Sequence, residues 1–227
     1  MKLIDVRNVT LKYDNNIALK NISFSVDKKE FIGVLGPNGA GKSSLFKVIL
    51  GILKPQNGEV RISEKTNISY VSQSVSFDKS FPIKVIDVVM MGFLEKKIKF
   101  LRGYSRKEND KAYSVMKKLG IIDLKDRQIG ELSGGQLQKV LIARALVSDP
   151  HVILLDEPTA SLDTDAKTEI FELLKELNSN MAIILVSHNL NMVCKYIDKA
   201  LIIDREMVYY GEPDDEGIGD VFDTYAS

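Results

Sequence analysis

Short apolar runs that recur along the chain predict the strands of a buried sheet. They are the stretches "FIGVLG", "ISYVSQ", "HVILLDE" and "MAIILVSH", at residues 31–36, 68–73, 151–157 and 181–188. Runs with little polar interruption are typical of parallel strands covered on both faces, and the run at 68–73 is the weakest of the four. The stretch at 5–14 differs, because Val6, Val9 and Leu11 stand among polar residues there. That pattern predicts a half-exposed strand near the start of the chain.

Helical patterns lie between these strands. Residues 42–53 ("KSSLFKVILGIL") and 165–178 ("DAKTEIFELLKELN") repeat their apolar positions with the spacing of amphipathic helices. Strands that alternate with helices predict an α/β fold with a mainly parallel sheet.

The segment from about residue 76 to 130 has no buried-strand run, and it is predicted to form a helical lobe inserted into the α/β core. Within it, Ser105 and Glu108 have the spacing of a helix capping box. Apolar residues follow at helical spacing, and Gly120 can end the helix. We therefore predict one domain over 1–227, with 1–75 and 134–227 as the core and about 76–133 as the lobe.

Composition narrows the possible partners. Lysine plus arginine and aspartate plus glutamate both number 31, so the chain lacks the basic excess that is usual in nucleic-acid binders. We therefore predict no nucleic-acid partner. The single cysteine, Cys194, excludes a disulfide within the chain and fits a reducing compartment. No run reaches the roughly 18–20 apolar residues of a membrane span, so any membrane role is expected to act through a partner.

Polar residues stand where the four predicted strands end. They are Gly36, Gln73, the pair Asp156 and Glu157, and His188. Because ligands of open parallel sheets bind beyond the carboxyl ends of the strands, these residues are expected to converge on one edge.

The stretch "GPNGAGKSS" at 36–44 has the spacing of a phosphate-binding loop, with a strand before it and a helix after it. Its glycines allow the backbone N–H groups of 38–43 to turn toward phosphate oxygens, and the following helix N-terminus favours an anion. Lys42 could reach the β- and γ-phosphates, and the Ser43 hydroxyl could bind Mg²⁺. The other interpretation, a glycine-rich turn with a surface lysine, does not explain this order of elements.

Two adjacent carboxylates supply the second half of the predicted site. Asp156 ends a buried run and could hold Mg²⁺ through water, while Glu157 could polarise a water for attack on the γ-phosphate. Without the phosphate loop, the two carboxylates would be interpreted as solvated side chains with no catalytic role. Together with the phosphate loop, they predict a nucleoside triphosphatase.

A second glycine turn, "LSGGQ" at 132–136, raises the question why one domain would carry two glycine turns that could face an anion. Ser133 and Gln136 have the spacing of a capping box. A cap does not require Gly134 and Gly135, which cost up to about 1 kcal/mol each in helix propensity. The glycines therefore favour a close approach of an anion such as phosphate to the backbone.

Taken together, these motifs resemble the ATP-binding cassette (ABC) family over nearly the whole chain. The matching features occur in the family's order: Tyr13, "GPNGAGKSS", Gln73, "LSGGQ", "VILLDEP", "SLD" with Asp163, and His188. The resemblance implies a P-loop NTPase-type α/β fold, with a mainly parallel sheet, the inserted helical lobe and a small peripheral antiparallel β region. Two departures, Asn189 for the usual aspartate and Lys139 for the common arginine, remove no catalytic group.

The resemblance also implies an answer to the question of two glycine turns. Two chains would face each other head to tail as a homodimer, with two ATP molecules and Mg²⁺ between them. Each ATP would contact the phosphate loop of one chain and Ser133, Gly134 and Gly135 of the other. In the same way, Tyr13 would stack on adenine, Asp163 would link the two sites, and His188 would contact the γ-phosphate.

The residues predicted for the site fall into three groups. The catalytic candidates are Glu157, His188 and Gln73. The candidates for Mg²⁺ are Ser43, Gln73 and Asp156. The candidates for ATP are Tyr13, Gly36, Pro37, Asn38, Gly39, Ala40, Gly41, Lys42, Ser43, Ser44, Ser133, Gly134, Gly135, Gln136 and Asp163.

Three functions are compatible with this family. The first is the ATPase of an importer, bound at the cytoplasmic face of the membrane to separate permease subunits and acting indirectly with an extracytoplasmic substrate-binding protein. The stretch at 76–93, which contains Phe77, Phe81 and Pro82, resembles the zinc and manganese branch, although iron-chelate importers have a similar stretch. The second is a soluble cassette without transport. The third, a nucleotide-gated clamp without catalysis, is disfavoured by Glu157 and His188.

Overall fold

The computed structural model describes residues 1–14, 16–72, 81–93, 103–188 and 190–213, and those residues form one sheet with helices on both sides. The strands are β1 (Lys2–Tyr13), β2 (Asn16–Asp27), β3 (Phe31–Leu35), β4 (Asn57–Ile62), β5 (Ile68–Val71), β6 (Val152–Asp156), β7 (Ala182–Val186), β8 (Lys199–Asp204) and β9 (Glu206–Gly211). The helices are α1 (Lys42–Ile49), α2 (Val85–Met90), α3 (Arg106–Lys118), α4 (Gly134–Leu146), α5 (Thr164–Asn178) and α6 (Leu190–Val193). Short 3₁₀ turns cover Met91–Phe93, Ile122–Leu124 and Ile129–Glu131.

The sheet has the order β4-β1-β2-β9-β8-β3-β7-β6-β5. Strands β8, β3, β7, β6 and β5 pair in parallel, whereas β1 pairs antiparallel with both β2 and β4. The α/β fold with a mainly parallel sheet and a small peripheral antiparallel region is therefore confirmed. The antiparallel β8–β9 hairpin was not predicted from the sequence.

Two apolar layers explain why the central runs are continuous. On β3, Phe31 and Leu35 belong to the layer that includes α3, α4 and α5, whereas Ile32 and Val34 belong to the layer that includes α1. All five residues of each of the strands β3, β6 and β7 are buried, because helices cover both faces. These strands hold the site at their carboxyl ends.

The regular structure of the described residues between β5 and α4 consists of helices and 3₁₀ turns joined by loops, apart from one isolated bridge between Lys84 and Gln128. Ser105 forms the predicted capping box with Glu108, and Gly120 has φ 67° just after α3. Both features confirm the predicted start and end of this helix. The boundary of the predicted lobe near residue 76 lies outside the described residues, so the division into lobe and core stays a prediction.

One helix is shorter than its sequence pattern suggested. The apolar periodicity extends to residue 53, yet α1 ends at Ile49 and is followed by Gly51 at φ 68°. A glycine in the left-handed region ends helices because it has no Cβ to clash there. Ile52 consequently stays 65% exposed.

Candidate functional site

Glycines shape the loop between β3 and α1 for two different reasons. A Cβ on Gly36 would lie 2.0 Å from the carbonyl oxygen of Ile203, and one on Gly41 would lie 2.3 Å from that of Ala18. Both glycines also have positive φ, as does Gly39 at 80°. A Cβ on Gly39 would meet nothing within 4 Å, so that position opens toward the adjoining cavity. The loop is thus held tightly on the side of the sheet and is open on the side where a ligand would bind.

Lys42 begins α1 and lies beneath this loop. Its side chain is buried, and Nζ donates hydrogen bonds to the carbonyl oxygens of Gly36 and Pro37, at 2.8 Å each. Burial lowers the pKa of Lys42, while the negative charges of Glu157 and Asp156 oppose that shift. The ammonium is therefore positioned by the loop itself.

A cavity of about 620 Å³ lies outside the loop, a size within the range of small-molecule sites. Tyr13 is at one part of its wall, 44% exposed, and its hydroxyl is 3.2 Å from Ser44 Oγ. The residues that line the cavity are Tyr13, Asn16, Ile17, Ala18, Asn38, Gly39, Gly41, Lys42, Ser43, Ser44, Glu157 and Arg205.

Four of these wall residues were missed by the sequence analysis, namely Asn16, Ile17, Ala18 and Arg205. Arg205 comes from the turn between β8 and β9, where its backbone N–H donates to the Ala40 carbonyl at 3.0 Å. No motif signals it. Ile17 and Ala18 follow Tyr13 within the β1–β2 hairpin, so the pairing of those strands would have been the only signal.

Asp156 ends β6 and is only 3% exposed. Its Oδ2 accepts a hydrogen bond from the Tyr70 hydroxyl at 3.3 Å, whereas Oδ1 is buried and has no hydrogen-bond partner in the described part of the chain. Burial raises the pKa of Asp156, and hydrogen bonds from Ser43 and Tyr70 oppose that shift. An unpartnered buried carboxylate oxygen beside a serine hydroxyl is a donor set that fits Mg²⁺, which prefers hard oxygen ligands.

Glu157 follows directly in an uncommon conformation. Its φ of 49° lies in the left-handed region, and its N–H donates to the Val186 carbonyl at 3.1 Å. Because β6 and β7 are neighbours, this contact brings Glu157 to the end of β7, where His188 Nε2 contacts Glu157 Oε1. Strained non-glycine residues cluster at functional sites. These contacts bring the predicted carboxylates, His188 and Lys42 together at the carboxyl edge of the sheet.

The second glycine turn is the N-terminus of α4. Ser133 Oγ accepts from the Gln136 N–H at 3.3 Å, and Gln136 Oε1 accepts from the Ser133 N–H at 3.0 Å, so the capping box is confirmed. A Cβ on Gly134 would lie 2.9 Å from Leu162 Cδ2, and one on Gly135 would lie 3.3 Å from Ala166 Cβ. Packing within the chain therefore contributes a reason for both glycines that the sequence analysis did not consider.

Neither this turn nor Asp163 lines the 620 Å³ cavity. Asp163 instead caps α5, where its side chain accepts from the Ala166 N–H at 2.9 Å. Gln73, Phe77 and Asn189 lie outside the described residues. Lys139, the noted departure on α4, forms an ion pair with Glu169 at 2.6 Å.

Within the described ranges, no cluster of three histidine, cysteine, aspartate or glutamate residues could hold a metal ion. In the same part of the chain, no helix combines the length and the apolar character that crossing a membrane requires.

A parallel sheet with a glycine loop, a buried lysine and paired carboxylates at its carboxyl edge defines a nucleotide-binding ATPase of the P-loop class. Residues 19–160 match the sequence profile of the family described as ABC transporter. The chain therefore belongs to the ABC transporter family, and as a member of that family it binds and hydrolyses ATP. The resemblance inferred from the motifs is confirmed, while the roles of individual site residues stay predictions.

Relatives cover nearly all of the chain. The zinc uptake system ATP-binding protein ZurA of Listeria monocytogenes is 42% identical over 221 residues, 92% of this chain and 86% of that protein. The manganese transport system ATP-binding protein MntB of Halalkalibacterium halodurans is 39% identical over 92% of this chain and 86% of that protein.

Solved structures show the same fold. A nucleotide-free ATP-binding cassette from an ABC transporter superposes with a TM-score of 0.87 at 28% identity, over 98% of this chain and 96% of that one. A cassette in a dimeric, post-hydrolysis state bound to ADP and phosphate gives a TM-score of 0.77 at 27% identity, over 93% and 99% of the two chains.

Proposed function

We propose that this chain is the ATPase subunit of an importer for a transition metal such as zinc or manganese, and that it drives transport through separate permease subunits. The observation that carries the ATPase part is that Lys42 and Glu157 both line one cavity, while the buried Asp156 lies close enough to Lys42 to oppose the lowering of the Lys42 pKa by burial. The cargo is supported by the names of the zinc and manganese relatives. The chain would act at the cytoplasmic face of the membrane, with an extracytoplasmic substrate-binding protein as an indirect partner.

The geometry suggests how ATP would be held and cleaved. Lys42 and the N–H groups of the phosphate loop would bind the phosphates, and the exposed ring of Tyr13 would stack on adenine. Asp156 and Ser43 would hold Mg²⁺, which would neutralise charge on the phosphates. Glu157 would accept a proton from the attacking water, and its contact with His188 would keep both side chains oriented. Gln73 is proposed to contact Mg²⁺ and the attacking water, and to transmit movement to the membrane subunits.

The cargo is tested in cells by deleting the gene and measuring uptake of zinc, manganese and iron at limiting supply. We expect zinc or manganese uptake to fall, and the wild-type gene but not Glu157→Gln to restore it. A loss of iron uptake alone would favour the iron-chelate alternative. Unchanged uptake of all three metals, with no redundant importer present, would reject a metal cargo and leave the ATPase assignment intact.

The membrane partner is proposed to dock on the lobe. Phe81, Met91 and Tyr104 expose 60%, 41% and 44% of their surface there, and a short partner helix that covers Phe81 would bury apolar surface. Phe81→Asp should release the permease subunits during co-purification while the isolated chain still binds ATP. Ile52→Asp, at an exposed apolar residue beyond α1, is the control and should leave the complex intact. If the Phe81 variant keeps its membrane partner, docking at this residue is wrong, and if no membrane protein co-purifies with the wild type, the soluble alternative is favoured.

A further inference from the structure

The two oxygens of Asp156 are in different environments. Oδ2 accepts a hydrogen bond from the Tyr70 hydroxyl, and Oδ1 is buried without a partner in the residues that the structure describes. A buried acceptor without a partner costs about 1–3 kcal/mol, so its presence calls for an explanation. A ligand that binds Oδ1 would supply one.

Tyr70 is held in place by packing that does not involve its hydroxyl. It lies on β5 opposite Leu154 of β6, and its ring packs edge-on against Phe46 of α1, with ring centroids 6.2 Å apart at 89°. Residues 154 and 156 lie on the same face of β6 because side chains alternate along a strand. The tyrosine ring therefore reaches along this face to the carboxylate at the end of the strand.

In the contact between Tyr70 and Asp156, the tyrosine hydroxyl is the hydrogen-bond donor, because an ionised carboxylate oxygen can only accept.

We propose that Tyr70 is a positioning residue for the Mg²⁺ site, because its hydroxyl fixes Oδ2 of Asp156 and so leaves Oδ1 directed at the metal. The inference rests on the proposed Mg²⁺ role of Asp156. It adds a residue from β5, which lies outside the phosphate loop and the carboxylate pair. Without the hydroxyl, Oδ2 loses this hydrogen bond, and only the contact with Ser43 and the surrounding packing restrain the carboxylate, so Oδ1 is held less firmly in one position.

The test is Tyr70→Phe, which keeps the ring against Phe46 and removes only the hydroxyl. Calorimetry on the purified chain gives the affinity for ADP with EDTA and with Mg²⁺, so the readout does not depend on turnover. We expect metal-free ADP affinity to stay as in the wild type and the strengthening by Mg²⁺ to fall about 10-fold, as is typical when the partner of a metal ligand is removed. Excess Mg²⁺ should restore ATP turnover, because the defect lies in metal affinity.

Tyr210→Phe is the matched control. Tyr210 also packs edge-on against a phenylalanine, Phe24, at 6.0 Å, and its hydroxyl donates to the Ser25 carbonyl at 2.6 Å, away from the nucleotide site. This variant should leave the Mg²⁺ effect unchanged. If it weakens the Mg²⁺ effect as much as Tyr70→Phe does, the role of Tyr70 is merely structural and the proposal is wrong.

Asp156→Asn, measured in parallel, tests the Mg²⁺ role of Asp156 separately from the positioning role of Tyr70. If it removes the Mg²⁺ effect and Tyr70→Phe does not, the role of Tyr70 is rejected and that of Asp156 stands. If neither change alters the Mg²⁺ effect, both assignments fail. The cargo of the transporter does not enter either result.

Discussion

At the scale of single residues, the site contains charges that the free protein accommodates poorly. Lys42 and Asp156 are both buried, and in each case burial is the largest cause of a pKa shift toward the neutral form. Glu157 adds a backbone conformation with φ 49°. Such features are expected where a ligand supplies the compensating interactions.

Asp156→Asn should therefore stabilise the nucleotide-free protein. Because burial raises the pKa of Asp156 above its unfolded value, this group contributes most to stability below the unfolded pKa, and the contribution falls as the pH rises through the folded pKa. At neutral pH the variant should melt about 2–4 °C higher, which for a chain of this size is about 1 kcal/mol. The difference should shrink in acid, where the wild-type carboxyl is protonated.

Asp5→Asn is the control for that prediction. The neighbouring Arg7 lowers the pKa of Asp5, so the ionised form is favoured in the fold and the amide should not raise the melting temperature. An Asp156→Asn protein that melts below the wild type at neutral pH would show that ionised Asp156 stabilises the free fold.

Glu157→Gln should separate ATP binding from hydrolysis. The amide keeps the shape of the side chain but cannot accept a proton from water, so turnover should fall about 10²–10⁴-fold while ATP binding is retained. Phosphate release and equilibrium binding measure the two effects, and gel filtration should show an ATP-bound dimer. Glu59→Gln, on the exposed strand β4, should behave as the wild type. Near-normal hydrolysis by Glu157→Gln with the partner present would exclude Glu157 as the base.

At the scale of elements, two helices begin with the same capping motif but are predicted to have different functions. Ser105 caps α3 through Glu108, and Ser133 caps α4 through Gln136, each by a complete capping box. Helix α3 lies away from the nucleotide cavity, whereas α4 begins with the turn that is predicted to contact the ATP of a second chain. Substitutions at the two caps can therefore distinguish the effect of lost helix capping from the effect of a lost contact with ATP.

Ser105→Ala and Ser133→Ala should each lower the free energy of unfolding by about 1 kcal/mol, because each removes one N-terminal cap. Only Ser133→Ala should also reduce ATP hydrolysis. Chemical denaturation gives the first quantity and phosphate release the second. Equal losses of activity in the two variants would indicate that Ser133 acts through helix stability alone.

At the scale of the whole molecule, the cavity of one chain is incomplete. It is lined by the phosphate loop and Glu157, but Ser133, Gly134 and Gly135 are absent from its wall. A two-fold dimer brings two equivalent sites together, so a second chain could supply the missing turn to each. The dimeric cassette with ADP and phosphate, similar in fold, fits that arrangement.

Mixed dimers test whether sites are shared. Lys42→Ala should damage the site of its own phosphate loop, and Gly135→Asp should damage the opposite site by placing a negative charge near phosphate. In a mixed dimer both lesions fall on one site, so part of the ATPase activity should return. If proven heterodimers stay inactive, crosslinking Ser133 to the nucleotide of a tagged partner decides whether the shared arrangement is wrong or one site is insufficient.

The sequence by itself determined the features that depend on near neighbours along the chain. The phosphate loop, the capping boxes at Ser105 and Ser133, and the fully buried central strands are encoded by spacings of a few residues, and the structure shows each of them. The end of α1 was missed, although Gly51 was a local signal, because the apolar periodicity continues past it.

Only the tertiary structure decided what depends on strand pairing and packing between distant segments. The hydrogen bond from Tyr70 to Asp156 requires β5 and β6 to be neighbours in register, and Arg205 reaches the cavity only because the β8–β9 turn lies beside Ala40. Packing of Gly134 against Leu162 depends on how α4 meets the segment before α5. Residues far apart in the sequence leave no local pattern of such contacts. Many pairings of the same elements satisfy the same periodicity, and side-chain fit in three dimensions selects among them.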